Sequence, residues 1–179
     1  IDLNKLKFDK FYNKILQKKL DTSLLAKAMK YSSINGGKRI RTFLVSESSK
    51  IVNLSTKNAM VISSSIESIH SYSLIHDDLP SMDNDDFRRG KPSTHKKYGE
   101  ASAILAGDAL HDFAFQLLSG SLTKISKEKN LQLINYLTLC TGYSGLAGGQ
   151  SLDLLYENKI LSKNKIIEMY RKKTGKLFE

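Results

Sequence analysis

Between Asp77 and Asp86 five of ten residues are aspartates: Asp77, Asp78, Asp83, Asp85 and Asp86. Carboxylates this dense repel one another unless cations stand among them. The candidate ligands are all oxygens and no cysteine is near, which selects a hard ion such as Mg²⁺. That ion takes a few carboxylates and completes its shell with water and substrate phosphate. The next residues, Arg88 and Arg89, carry planar guanidinium forks that match phosphate oxygens in pairs. A metal-bridged phosphate uses acid beside base in this way. A solvated acidic turn closed by its own ion pairs uses the same residues, and the segment alone leaves both open.

A second cluster able to take an anion is Gly36-Gly37-Lys38-Arg39-Ile40-Arg41. A glycine pair running into a helix exposes main-chain N–H groups where the helix dipole adds partial positive charge. With a helix expected from Lys38, the Lys38 and Arg41 side chains share one face. The spacing is not that of a P-loop. A Gly-Gly junction with basic neighbours is also a common structural feature.

The elements that must position these clusters read as helices. The two prolines, Pro80 and Pro92, both lie in one polar stretch, which leaves long spans free for helix. Leu3, Leu6, Phe11, Ile15 and Leu16 predict an amphipathic first helix. Asp21 or Thr22 caps a second, with Leu24, Leu25, Ala28 and Met29 facing inward. A third runs from Lys38 to Val52. Ser55 or Thr56 opens a long helix through Ile62, Ile66, Ile69 and Ile75, so that Asp77 ends a buried element. Residues 80–97 read as a charged loop. Helices follow over about 100–119 and 127–141, and a last one begins near Ser162 and carries Ile166, Ile167 and Tyr170. Gly142, Gly145, Gly148 and Gly149 mark either a kink or a close helix–helix or ligand approach. No period-2 strand and no repeat is found. The expected fold is all-α.

The chain has 179 residues, 40% hydrophobic and 26% charged, the composition of a globular domain and not of a disordered one. No apolar run is long enough for a membrane span. One cysteine, Cys140, rules out an internal disulfide framework and suits a reducing compartment, the cytoplasm. The formal charge of +10 favours anionic ligands. Its lysines are scattered along amphipathic stretches, such as Lys5, Lys7, Lys10, Lys14, Lys18 and Lys19, and form no basic block with interleaved aromatics, so no nucleic-acid partner is expected.

Taken in order, Gly36-Gly37-Lys38-Arg39-Ile40-Arg41, His70, Asp77-Asp78 with Asp83, Arg88-Arg89-Gly90, Gly107-Asp108, Gly149-Gln150 with Asp153, and Lys173-Thr174-Gly175 resemble the ordered signatures of the trans-type polyprenyl diphosphate synthases. Four residues separate Asp78 from Asp83, a spacing similar to that of bacterial farnesyl and plant geranylgeranyl synthases. The resemblance implies a helical bundle around a central apolar cavity, of the isoprenoid synthase type. It implies that Lys38, Arg41, His70 and Arg89 bind isopentenyl diphosphate. Asp77 and Asp83, beside Asp78, would hold the Mg²⁺ that bridges an allylic diphosphate, dimethylallyl or geranyl. Arg88 and Lys173 would grip that diphosphate, and Thr174, Gln150 and Asp153 would line the cavity nearby. Asp77, Asp78, Asp83, Arg88 and Lys173 are the catalytic set so implied, and a homodimer is the implied assembly. The reaction would ionise the allylic C–O bond, add the isopentenyl double bond to the cation, and lose a proton.

Tyr72 lies five residues before Asp77, about 7.5 Å down the helix axis, and Ser73 lies on nearly the face of Asp77. In the family, bulk at these positions acts as a floor beneath the growing chain. An aromatic beside a small residue resembles the pattern that makes the fifteen-carbon farnesyl product; Tyr72 as core packing stays open, as does a geranylgeranyl product.

Family members run well beyond this length and carry a second aspartate-rich motif, which nothing after Lys173-Thr174-Gly175 supplies. Asp108 and Asp112 share a potential helix face but resemble scaffold. The start, Ile1-Asp2-Leu3-Asn4-Lys5, has neither Met nor an apolar signal core. Residues 1–179 are therefore expected to be a trimmed, partial synthase domain lacking its C-terminal part. Two readings compete with prenyl transfer. A histidine–aspartate metal phosphohydrolase would use His70 and His76-Asp77, but leaves Gly36 to Arg41, the arginine pair and Lys173 without work. A non-catalytic helical subunit would follow from a truly truncated chain.

Overall fold

The computed structural model describes residues 2–34, 36–120 and 125–178. Ile1 and Glu179, the ends on which the expectation of a trimmed chain rested, lie outside them. The chain divides into two compact units, Ile1–Lys124 and Ile125–Glu179. The first contains helices α1 (Asp2–Lys19), α2 (Leu24–Ser33), α3 (Ile40–Ile51), α4 (Thr56–Asp77), α5 (Thr94–Tyr98) and α6 (Glu100–Ser119). The second contains α7 (Lys127–Thr141), α8 (Leu146–Tyr156), α9 (Lys163–Lys173) and a 3₁₀ turn, Gly175–Leu177. No helix among the described residues is long and apolar enough to cross a membrane.

Local chemistry sets most of these bounds. The Ser55 side chain accepts the Asn58 N–H at 3.3 Å and starts α4, and Ser126 does the same for Lys129 at the start of α7. For α2 the cap is Ser23, not Asp21 or Thr22: Ser23 accepts the Ala26 N–H at 3.2 Å, while Asp21 accepts the Ser23 N–H at 3.0 Å and orders the turn before it. The α3 helix begins at Ile40, two residues later than expected, because Arg39 takes a left-handed φ of 53°. Lys38 therefore precedes the helix and does not share a helix face with Arg41.

In the first unit α4 packs most extensively on α6 and next on α3. Phe8, Tyr12 and Leu16 of α1, Met29 of α2, Val61 and Ile75 of α4, and Ala106, Leu110, Phe113 and Leu117 of α6 form the core. The inward faces of α1 and α2 differ from expectation. Leu3 and Leu6 are each 65% exposed, and Leu24 and Leu25 are exposed as well, whereas Phe8, Tyr12 and Ala26 are buried.

Small polar residues dominate the inner face of α4, where Ser63, Ser64, Ser65, Ser68 and Ser71 are buried while Ile62 and Ile66 are only partly so. The bonded hydroxyls explain how serine is tolerated there. Ser64 donates to the Met60 carbonyl at 2.8 Å, Ser68 to that of Ser64 at 2.7 Å, and Ser65 across to the Ala114 carbonyl of α6 at 2.9 Å.

Residues 80–97 are not loop throughout. Phe87–Arg88 (β1) and Lys91–Pro92 (β2) pair antiparallel, and Thr94–Tyr98 is helical. Two-residue strands are too short to show a period. The turn between them has both central residues at positive φ, Arg89 at 55° and Gly90 at 75°, the arrangement that matches strand twist in a tight hairpin.

In the second unit the glycine cluster does two jobs. Gly142 caps the end of α7 and Gly145 the start of α8. At Gly149 an added Cβ would collide with the Lys173 main chain and lie 2.7 Å from the Lys172 carbonyl carbon, so α8 and α9 touch backbone to backbone there. Ile166, Ile167 and Tyr170 of α9 are exposed, and Met169 is its buried residue.

Candidate diphosphate and cation site

The last turn of α4 carries the acidic cluster. Asp83 N–H donates to the Asp77 carbonyl at 2.9 Å, and Asn84 N–H to that of Leu79 at 3.1 Å, so the chain curls back and brings Asp83 beside Asp77. Asp78 faces the other way. It is 2% exposed, and Arg88 grips it, Nε lying 2.9 Å from one carboxylate oxygen and 3.2 Å from the other, with Nη2 also donating. Burial raises the Asp78 carboxyl above its ordinary value, with the Arg88 bonds and charge pulling down. Arg88 also reaches Asp85 at 3.3 Å, and Lys96 pairs with Asp86 at 2.8 Å. Asp83 is exposed and makes no ion pair among the described residues. The sequence treats Asp77, Asp78 and Asp83 as one motif, but the structure separates Asp78 into an ion pair with the hairpin. A small open pocket beside this turn is walled by Leu74, Ile75, Asp78, Arg88 and Arg89.

The basic cluster assembles on the preceding turns of α4. Arg89 Nη1 donates to the Gly36 carbonyl at 2.7 Å, and its guanidinium lies where a Cβ on Gly37 would come within 2.8 Å. Gly37, at φ 106°, is thus favoured by its backbone, and any side chain there would have to displace the arginine against it. This contact joins Gly36-Gly37 to Arg88-Arg89-Gly90, segments that sequence order leaves far apart. His70 of α4 feels the charges of this cluster: its imidazole pKa is lowered to about 3, first by burial and then by Arg41, Arg89, Arg39 and Arg88. His70 is therefore a neutral hydrogen-bonding group near neutral pH. Lys38 is exposed at the entrance to α3.

His76 is not a partner of His70. Its Nε2–H donates to the Ile104 carbonyl at 3.1 Å, and its ring fills the space a Cβ on Gly107 would occupy. Asp108 lies 3.8 Å from the same nitrogen. No group of three or more His, Cys, Asp or Glu side chains stands at ligating distance among the described residues. Tyr72, partly buried, meets the rings of His76 and His111 edge-on at 5.0 and 5.2 Å, and Ser73 Oγ donates to the His70 carbonyl at 3.0 Å.

In the second unit Lys173 Nζ pairs with Asp153. Gln150 is buried with neither amide atom hydrogen-bonded among the described residues. Thr174 ends α9 and is exposed. Reasoning from sequence missed Arg39 and Glu67, a buried pair beneath the basic cluster; the one signal was Glu67 standing among serines on the inner face of α4.

The polyprenyl synthetase family model matches residues 22–179. The farnesyl diphosphate synthase of Buchnera aphidicola subsp. Acyrthosiphon pisum is 47% identical over 165 residues, covering 90% of this chain and 58% of that protein. The farnesyl diphosphate synthase of Escherichia coli is 44% identical over 154 residues, covering 86% and 52%. Among solved structures, an FPP/GFPP synthase from Zymomonas mobilis superposes with a TM-score of 0.91 at 38% identity, covering 96% of this chain and 64% of that one. An isoprenoid synthase family member from Thermotoga neapolitana gives 0.86 at 33% identity, covering 98% and 66%. The chain spans about half the length of the curated relatives it matches. The ordered motifs, the all-helical fold and these matches agree: the chain belongs to the polyprenyl synthetase family.

Proposed function

We propose that the protein is a prenyltransferase that joins isopentenyl diphosphate to an allylic diphosphate and releases farnesyl diphosphate. The observation that carries this reading is the hydrogen bond from Asp83 to the Asp77 carbonyl, which brings two carboxylates to one turn while Arg88 neutralises Asp78. The residues present fit Mg²⁺, because all the donors are oxygens. An ion of that kind takes a few carboxylates and completes its shell with water and diphosphate oxygens. Asp77 and Asp83 would hold the ion, and its chemistry when bound is to neutralise charge on a departing diphosphate.

Lys38, Arg41, His70 and Arg89 would bind isopentenyl diphosphate, the three cations by charge and His70 as a neutral donor. Arg88 would grip the allylic diphosphate as the C–O electron pair leaves with it. The isopentenyl double bond, held by the basic cluster, would then add to the allylic carbon. A proton lost to the released diphosphate completes a product five carbons longer. In the second unit, Lys173 is proposed to grip the allylic diphosphate, with Thr174, Gln150 and Asp153 lining the substrate cavity nearby. The unanswered Gln150 amide supports this, since each buried unpaired polar group costs about 1–3 kcal/mol until water or a ligand meets it.

The names of the relatives and the ring of Tyr72 against His111 support a fifteen-carbon product. Homodimeric assembly and a cytoplasmic location complete the proposal. The test is incubation of the whole protein with Mg²⁺, isopentenyl diphosphate and geranyl diphosphate, with products resolved by chain length. Farnesyl diphosphate is expected. Absence of any elongated product would overturn the prenyltransferase reading, and a twenty-carbon product would overturn the farnesyl assignment alone.

A further inference from the structure

Arg39 stands in sequence between Lys38 and Arg41, yet its guanidinium is buried and every nitrogen is taken by protein. Nε donates to Asp9 at 2.9 Å, Nη1 to Glu67 at 2.7 Å and Nη2 to the Ser33 carbonyl at 2.8 Å. The Phe8 ring lies beneath it, 5.4 Å from ring centre to guanidinium carbon. It therefore ties α1, the end of α2 and the middle of α4 together, with a bond to protein from each of its three nitrogens.

The second Glu67 oxygen accepts Thr42 Oγ1 at 3.1 Å. Arg39 and Thr42 are thus fastened to opposite oxygens of one buried carboxylate, and Arg41 lies between them in the chain. Glu67 is also one turn before His70 on α4, on the same helix face. Its negative charge acts on Arg41 and Arg89 as well, opposing the effect of burial on both guanidiniums. The left-handed backbone at Arg39 is unfavourable for a non-glycine residue, so these side-chain bonds are what hold the bend that precedes α3.

We infer that Arg39 and Glu67 are positioning residues: their buried pair, with Thr42, fixes the start of α3, places Arg41 there and so shapes the site for the isopentenyl diphosphate group. This rests on the prenyltransferase reading above. A small displacement of a substrate-positioning group can cost up to roughly a hundredfold in rate, so an effect confined to one substrate is what separates positioning from general stability.

The experiment measures the KM for each substrate in Arg39→Lys, Thr42→Val and Tyr12→Phe. Lysine keeps the charge but offers a point in place of the fork that reaches three partners. Valine keeps the shape of Thr42 and removes one bond to Glu67, so it remains informative if Arg39→Lys does not fold. Tyr12→Phe removes a 2.7 Å bond to Ser68 in the same core and serves as the control for lost stability.

Arg39→Lys is expected to raise the KM for isopentenyl diphosphate about tenfold and Thr42→Val about threefold, with geranyl diphosphate changed less than about twofold. Tyr12→Phe should change neither. Equal rises for both substrates, no rise, or the same selective rise in Tyr12→Phe would overturn the inference. Should the wild-type protein show no turnover, the prenyltransferase reading fails by itself. Calorimetric binding of inorganic pyrophosphate then decides the positioning role: about tenfold weaker binding in Arg39→Lys, with no weakening in Tyr12→Phe, supports it, and unchanged binding overturns it.

Discussion

Along α4 two carboxylates stand ten residues apart, about 15 Å along the axis, in opposite surroundings. Glu67 is 2% exposed, and both its oxygens are taken, by Arg39 and Thr42. Asp77 ends the helix in a cluster where Asp83, Asp85 and Asp86 are exposed and only part of the negative charge is answered by Arg88 and Lys96. A buried charge satisfied by protein is scaffold, because its partners already occupy the positions a ligand would take. Crowded carboxylates left toward solvent repel one another, and a cation relieves that repulsion. The same residue chemistry thus serves shape at one turn and ligand at another, and burial decides which.

That contrast can be broken from either side. The largest effect expected is at Asp77: replacement by Ala should lower kcat/KM by at least about a thousandfold. It should lower the denaturation free energy by less than about 1 kcal/mol, since one charge of a crowded, partly exposed acidic cluster is removed. Replacing Glu67 by Ala should do the reverse to stability. Removing one member of a buried ion pair costs about 3–5 kcal/mol, which urea unfolding would register as a lower midpoint. Equal stability losses in the two variants would erase the distinction drawn here.

Gly107→Ala probes how the acidic end is seated. The new methyl would meet the His76 ring, one residue from Asp77, and overpacking of this kind costs about 1–3 kcal/mol. Thermal unfolding together with KM for the allylic substrate would show whether the end of α4 moves as well as loosens.

The pH dependence sharpens the basic side. His70 has a folded value of about 3 against an ordinary 6.5. As pH falls below about 6.5 the unfolded chain takes the proton first, so this residue's share of stability is present at neutral pH and is lost progressively toward pH 3. Stability measured from pH 7 to 4 should therefore decline less steeply in His70→Asn. An unchanged slope would mean that His70 is neither buried nor surrounded by positive charge in the folded chain. The smallest expected effect is on product length. Tyr72→Ala should shift some product beyond fifteen carbons by opening space beside His111, and chain-length analysis would detect it.

Much of this molecule is legible before folding. The bounds of α4, α6 and α7 follow from serine caps, glycine stops and long proline-free spans, because caps and breakers act on the nearest few residues. The order of the glycine, aspartate and arginine motifs likewise carries the family without coordinates. Inner faces are less legible: Leu3, Leu6, Leu24 and Leu25 read as core and are exposed, while the serines of α4 are inside. Hydrophobic periodicity reports transfer preference, and a serine that returns its hydroxyl to its own helix carries little of that signal.

Partner choice among charges lies beyond periodicity altogether. Nothing local says that Asp78 turns to Arg88, that Arg89 lies over Gly37, or that Arg39 reaches Glu67. Those pairings join residues as many as 53 positions apart. Side chains of identical formal charge are told apart only by burial and by which helix comes to lie against them, and both are properties of the packed chain.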